Sequence, residues 1–423
     1  MYQLRANKSL IRLIAVFMLI AISNICLADK LTIAEAGHLA LQDDYTLKAI
    51  NARSQSMAEL AVAAEGMPDP QLKLGFANLP TDSFNLGQEA MTQSVIGVRQ
   101  MFPRGQTRSL NSLRVNESMA GNNAEADDRK HQILLSVREE YTRIYLHQQR
   151  VRILRQSLVV FSDLAEITRD YYASGRAHQQ DVVQAQLELS RVEERLTRIK
   201  QQEVQARARL AEWIGSNAYR DLDPQWPEIT QPHAAQQIIA ELPEHPRLMA
   251  WQHAISKSKT SEEIARQAYK PGFAVDLAYG GRGGQNPDGS DRSDFVSVFV
   301  TMDIPLFTKN RQDRALASSI ADTSATQYAR DDIYRAMKAR VEENSATLMH
   351  ERERLGLYEE LLLPQAAFNA EAAFEAYQDA VDDLTTLMRA RIGEYELRLS
   401  HAALRADEII TRARLLYLQG EIS

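Results

Sequence analysis

The stretch Gly105–Tyr172, with HQILLSVREEYTRIYLHQQRVRILRQSLVVF at 131–161, decides how the rest of the chain is read. It contains no proline. Leu134, Val137, Tyr141, Ile144, Val151, Leu154, Leu158 and Phe161 fall mostly three or four apart, the spacing of one helix face. A helix of this length is roughly 100 Å long, against an ordinary mean of about 11–12 residues. It cannot bury its own stripe and needs partners alongside. A filament or scaffold coiled coil would satisfy that need, so the flanking sequence has to decide.

Upstream, Leu31 to Glu65 reads as one helix, with Thr32 as N-cap and Glu35 three residues on. Gly66-Met67-Pro68-Asp69-Pro70 stops it, and the period then changes to two. Leu72, Leu74 and Phe76 alternate with Gln71, Lys73 and Gly75; after a polar loop, Ile96, Val98 and Phe102 alternate with Gly97 and Arg99. This is a hairpin over about 71–102, closed by Pro103. It fits a soluble core, or a piece of transmembrane β-barrel whose strands need about 9–11 residues with alternating faces.

Downstream, Gly175 ends the long helix and a helix returns over about 180–214, stepping through Leu189, Val192, Leu196, Ile199, Glu203, Ala206, Leu210 and Trp213. Residues 216–245 form a proline-rich linker with Trp226 as an anchor. The plan then repeats. A half helix from about Pro246 stops at Pro271, and Phe273, Val275, Leu277 and Tyr279 form a third strand. Val296, Val298, Val300, Met302 and Ile304 form a fourth, so the second hairpin covers about 273–304 and Pro305 ends it. A long helical stretch over about 308–377 is broken only by Pro364, and a second heptad runs over about 384–418 from Met388 to Leu416. Pro70 and Pro271 are 201 apart, Pro103 and Pro305 202, and Tyr172 and Tyr377 205. Such agreement marks a tandem duplication, with repeat one over 29–215 and repeat two over 246–423.

The first 28 residues read as a cleaved signal peptide: Arg5, Lys8 and Arg12, an apolar run Leu13–Ile22, and small residues before a cut between Ala28 and Asp29. Lipidation of Cys26 is the minor reading, because Ile25 stands where a small residue is usual. Cleavage removes three basic and no acidic residues, taking the net charge from −7 to −10, and with them the only cysteine. The exported chain has no disulfide framework. Its acidic balance argues against nucleic acid as the partner.

Four strands cannot close a barrel, and an open sheet edge is not tolerated in lipid. On a membrane reading several chains must pool their strands; three would supply twelve. The half helix and the returning helix, about 35 residues each, together match the long rod and give a wall of even height.

This order, twice over behind a signal peptide, resembles the TolC family of outer-membrane efflux proteins. Asp69-Pro70, Asn78-Leu79-Pro80, Asp82-Ser83-Phe84, Glu89-Ala90-Met91-Thr92 and Gln100-Met101-Phe102-Pro103-Arg104-Gly105 resemble its heavy-metal, CzcC-like branch. The resemblance implies a mainly α fold with a membrane β part: a homotrimer with a shared 12-stranded barrel in Gram-negative outer-membrane lipid and a coiled-coil tunnel in the periplasm. It implies an exit duct docked through a periplasmic adaptor (membrane fusion) protein to an inner-membrane RND pump, passing heavy-metal cations such as Co/Zn/Cd or Cu/Ag. A drug or type I secretion duct is the runner-up. A periplasmic coiled-coil adaptor or scaffold is the alternative of another class; it calls for one hairpin and a contiguous β domain.

Nothing marks an enzyme. The nine histidines are scattered, with no pair at i, i+3 or i+4, and no HExxH, phosphate loop or dinucleotide fingerprint occurs. No cofactor and no metal site is expected, since conduction requires weak binding. The residues singled out lie at the strand–helix junctions (Pro70, Pro103, Pro271, Pro305) and at the helical turns of the periplasmic tip. In drug-exporting relatives, aspartates on the second returning helix narrow the entrance; Thr386 and Arg389 stand at the matching positions here. Asp379, Asp382 and Asp383 lie close by, with Gly175 and Asp181 in repeat one. They form either a cation-attracting ring, a solvated acidic turn, or, with Arg176 and Arg389, ion pairs that hold the tip closed.

Overall fold

The computed structural model describes residues 30–379 and 381–420; the expected leader and the cut at Ala28–Asp29 lie outside the described residues. The helix expected from Leu31 to Glu65 is two helices, α1 (Ile33–Asp43) and α2 (Tyr45–Glu65). Thr32 does cap α1, its Oγ1 accepting from Glu35 N at 3.2 Å. Glu35 does not reach back; its carboxylate pairs with Arg220 at 2.6 Å. The break is made by Asp44, which is extended (φ −68°, ψ 111°) and restarts the helix by accepting from Leu47 N at 2.6 Å. Arg129, on the long helix, holds that carboxylate at 2.6 Å.

Strands β1 (Gln71–Ala77) and β2 (Gln93–Phe102) follow, then α3 (Thr107–Ala173). The chain enters α3 through Gly105 at φ +46°, where a Cβ would lie 2.4 Å from Gln267 Oε1. That same oxygen accepts from Gln106 N at 3.1 Å. The return helix α4 (Gln179–Ile214) leads into the linker, which holds the short α5 (Ala235–Glu241). Next come α6 (Pro246–Gln267), β3 (Phe273–Gly281), β4 (Phe295–Met302) and α7 (Gln312–Leu357).

Pro364 does not break the second long helix. A π turn, Tyr358–Leu362, joins α7 to α8 (Leu363–Gln378), and α9 (Leu384–Gln419) returns. Proline lacks an N–H and its ring collides with the carbonyl four residues back, here Glu360; widening the turn removes the collision while the rod continues.

The helices form one layer with α3 as its spine. Its first half packs against α2 and α6, its second half against α4 and α9, and α7 packs on α6 and α9. The heptad residues fill the seams: Val192, Leu196, Ile199, Ala206 and Leu210 of α4 are buried, as are Met388, Tyr395, Leu399 and Leu416 of α9. Each of the buried valine, leucine, isoleucine and methionine side chains contributes about 1.5–3 kcal/mol. At mid-height α1 and the end of α4 meet against α3 around Leu31, Tyr141 and Leu210, where Tyr141 Oη donates to Leu31 O at 2.7 Å. Leu248, Val341 and Leu415 make the corresponding joint in the second half. Among the described residues, no helix is long and apolar enough to cross a membrane.

The two hairpins fuse into one antiparallel sheet, ordered β1-β2-β3-β4. β2 and β3 pair from Ser94↔Gly281 to Phe102↔Phe273, leaving β1 and β4 as open edges.

Candidate functional site

Alternation sorts the sheet into two unlike faces. On one, the register lines up Leu72, Val98, Leu277 and Val298 across all four strands, with Leu74, Ile96, Tyr279 and Val296 in the next row. These side chains have no cover: Val298 is 64% exposed and Leu74 70%. Phe102 and Phe273 stack at one end of the band, centroids 5.0 Å apart, and Phe76 and Tyr279 stand towards the other. Aliphatic rows flanked by aromatic ones, spanning about 20 Å at 3.3 Å per residue, match an outer-membrane lipid band.

The other face is mixed: it carries Lys73, Arg99 and Asp276 with Gly75, Ser297 and Thr301, and also Val95, Met101 and Phe299, the last opposite Asp276. Lys73 and Arg99 both pair with Asp276, the latter at 3.9 Å.

At one end of the sheet the hairpin loops hold each other. Arg282 Nη1 donates to Ala90 O at 3.1 Å, and Arg292 Nη1 to Glu89 O at 2.9 Å and Gly87 O at 3.2 Å. Asn78 takes φ +54°, its Nδ2 donates to Met91 O at 3.1 Å, and the buried Thr92 hydroxyl donates to Asn78 O at 2.7 Å. The Asn78 and Met91-Thr92 signals thus close a loop. At the other end, Pro70, Pro103, Pro271 and Pro305 stand where strands meet helices. Arg104 ties this junction, donating to Ala268 O at 3.1 Å and pairing with Asp303 at 3.2 Å.

At the far end of the helices the two turns lie side by side, joined by the Tyr171 and Tyr377 rings at 5.6 Å. Gly175 closes the first turn at φ +75°, its N–H donating to Tyr172 O at 3.0 Å. The acidic residues expected at an entrance are mostly engaged as helix caps. Asp181 accepts from His178 N, Asp383 from Thr386 N, and Asp382 from Asp383 N, each at 2.8 Å. Those Thr386 hydrogen bonds, with the Arg389 charge, hold the Asp383 carboxyl below the usual carboxylate range. Asp379 ends α8 and is exposed, as is Arg389, while Thr386 is half-buried. The inter-helical ion pairs considered for this tip are not formed among the described residues: Arg176 lies over the Tyr171 ring at 5.6 Å, and Asp181 serves its own helix. Among the described residues, no three metal-ligating side chains converge.

No family model matches the chain, and no curated protein matches it in sequence. Solved structures do match. CusC, studied for the conformational changes that accompany folding and transmembrane channel formation, superposes at TM-score 0.77 and 14% identity over 92% of each chain. The outer membrane protein VceC of Vibrio cholerae gives 0.77 at 15% identity, over 92% of this chain and 96% of that one. The chain has the fold of an outer-membrane channel. The open-state MtrE outer membrane channel of Neisseria gonorrhoeae agrees, with TM-score 0.74 at 13% identity over 92% and 88% of the two chains.

Within this channel fold, sequence reasoning missed the Lys73–Asp276–Arg99 cluster and the Arg282 and Arg292 loop clamps. Each of the first three strands carries one charge on its polar side, a signal that was present but had no meaning without the pairing of β2 with β3.

Proposed function

We propose that the protein is the outer-membrane exit duct of a TolC-type tripartite efflux system. Three copies close a twelve-stranded barrel in the lipid, and their helical layers close a tunnel that extends into the periplasm. A periplasmic adaptor joins the tunnel to an inner-membrane RND pump, and the passengers are heavy-metal cations, as the CzcC-like signals suggest. A duct for drugs or secreted polypeptides is the second reading; Thr386 and Arg389, standing where drug-exporting relatives carry aspartates, count against it.

One observation carries this reading: an uncovered apolar sheet face on a sheet whose two edges are both unpaired. Water disfavours the face, and lipid disfavours the edges unless they are joined. Head-to-tail pairing of β4 with the β1 of the next copy satisfies both, and a rotation that closes makes a ring. The flanks of the helical layer support the same closure. Val183, Leu187 and Val204 of α4 are exposed on one side, and Ile320, Tyr328, Met349 and Phe368 of α7 and α8 on the other. The exposed Asp379 and Asp382 are the members of the tip cluster best placed to face a passing cation.

The test is extraction of the mature chain from outer membranes. A trimer with heat-modified mobility that opens ion-conducting pores in a planar bilayer is expected. A water-soluble monomer that leaves vesicles sealed would refute the reading.

A further inference from the structure

The four strands carry only three charged side chains, Lys73, Arg99 and Asp276, and all three lie on the face opposite the apolar band. Arg99 is the direct register partner of Asp276, and Lys73 reaches the same carboxylate from β1, across β2. Gly97 lies between Lys73 and Ala278 in register, where β2 and β3 approach too closely for a side chain. A Cβ at Gly97 would lie 2.9 Å from Leu277 O and 3.0 Å from the Ala278 Cβ.

Coverage is unequal. The Asp276 side chain is 10% exposed, while those of Lys73 and Arg99 keep 51% and 30% of their surface open. Two cations therefore face the solvent over one covered anion, and each chain shows a net positive charge on this face. Stability alone does not ask for this, since like charges at neighbouring positions in a sheet repel. An Arg99–Asp276 pair would already be neutral.

In the closed barrel, on whose reading this inference rests, the face lines the water-filled passage and three copies stand at one height. The geometry points to Lys73, Arg99 and Asp276 as a collar of net positive charge that makes the exit favour anions over cations. Solutes bearing carboxylate or phosphate groups pass this level more readily than free divalent cations, so the metal passengers of the proposed function cross it as anionic complexes of such groups.

Reversal potentials under a potassium chloride gradient across a planar bilayer test the collar. Lys73→Gln leaves the Arg99–Asp276 pair in place and should shift the permeability ratio towards cations by about twofold at 0.1 M salt. The shift should grow at 0.01 M, where the Debye length lengthens from about 10 Å to about 30 Å. Arg99→Gln should move it the same way, and Asp276→Asn the opposite way. General misfolding or narrowing cannot produce shifts of opposite sign. Conducting pores whose ratio is unchanged by these substitutions, or shifted in one direction by all three, would overturn the collar and leave the duct standing. Failure of the unaltered protein to conduct would instead remove the barrel itself.

Discussion

Two neighbouring residues of β4 put the membrane placement at risk in one experiment. Val298 stands in the middle of the apolar band, aligned with Leu277, Val98 and Leu72 and 64% exposed. Ser297 points to the charged face, in register with Ala278. An arginine on the lipid side of a barrel costs about 2–4 kcal/mol near the midplane and little on the lumenal side. In a symmetric trimer the penalty enters three times, so Val298→Arg should cost roughly 6–12 kcal/mol per assembled ring, or about four to nine decades in the assembly equilibrium. Ser297→Arg places the same side chain one residue along the strand, where water meets it. The assay is the yield of heat-modifiable trimer in the outer-membrane fraction, followed by bilayer conductance. Val298→Arg should abolish both and Ser297→Arg should retain both. Equal assembly of the two variants, or equal failure, would show that this face does not lie in lipid.

At the break between α1 and α2, Asp44→Ala removes a helix cap and the partner of Arg129, and should cost about 3 kcal/mol in denaturant unfolding followed by circular dichroism. Asp44→Asn keeps the cap and should cost less. Burial alone would raise the Asp44 carboxyl, but the hydrogen bonds from Arg129 and Leu47 N, with the charges of Arg129 and Lys48, hold it below its ordinary value. Its contribution is therefore present above about pH 4 and is lost as the pH falls through the lower folded value. In His147, burial and then the Arg150 charge push the imidazole down to about 4. It should stay neutral at pH 6 by NMR, and because the unfolded chain takes up the proton first, stability should fall from about pH 6.5 downwards. At the tip, neutralising Asp379, Asp382 and Asp383 together should shift the permeability ratio away from cations in single-channel recordings; unchanged selectivity would discard the carboxylate ring. Asp383→Ala alone should speed hydrogen exchange at Thr386, whose N–H it caps.

What the sequence made legible was what neighbours along the chain decide. The switch from a period of 3.6 to a period of two at Pro70 and Pro271 placed all four strands, because a sheet with one apolar face alternates wherever it lies. The heptads located the seams for the same reason. Asp44 escaped because aspartate at that spacing is tolerated within a helix. Here it caps α2 through Leu47 N, and the Arg129 that holds its other oxygen lies 85 residues later. Pro364 was visible as a disturbance, yet whether a proline ends a rod or widens one turn depends on packing along the rest of the rod, here against α9.

The pairing of β2 with β3 shows the limit most clearly. No turn connects them, and α3, α4, the linker and α6 intervene. Alternation tells which side of each strand is apolar, but a strand with one good face can pair with any other. The neighbour is chosen by the helices, which bring Arg104 to Ala268 O and Asp303 and seat Gln267 on the turn into α3. Once that junction is set, Phe102 falls opposite Phe273 and Arg99 opposite Asp276 without further choice. The helical layer thus fixes the register of the sheet, and the sheet in turn brings Lys73 within reach of a carboxylate 203 residues away. A lesion at Arg104 should therefore disturb the charge cluster as well as the junction itself, although no atom of Arg104 belongs to that cluster.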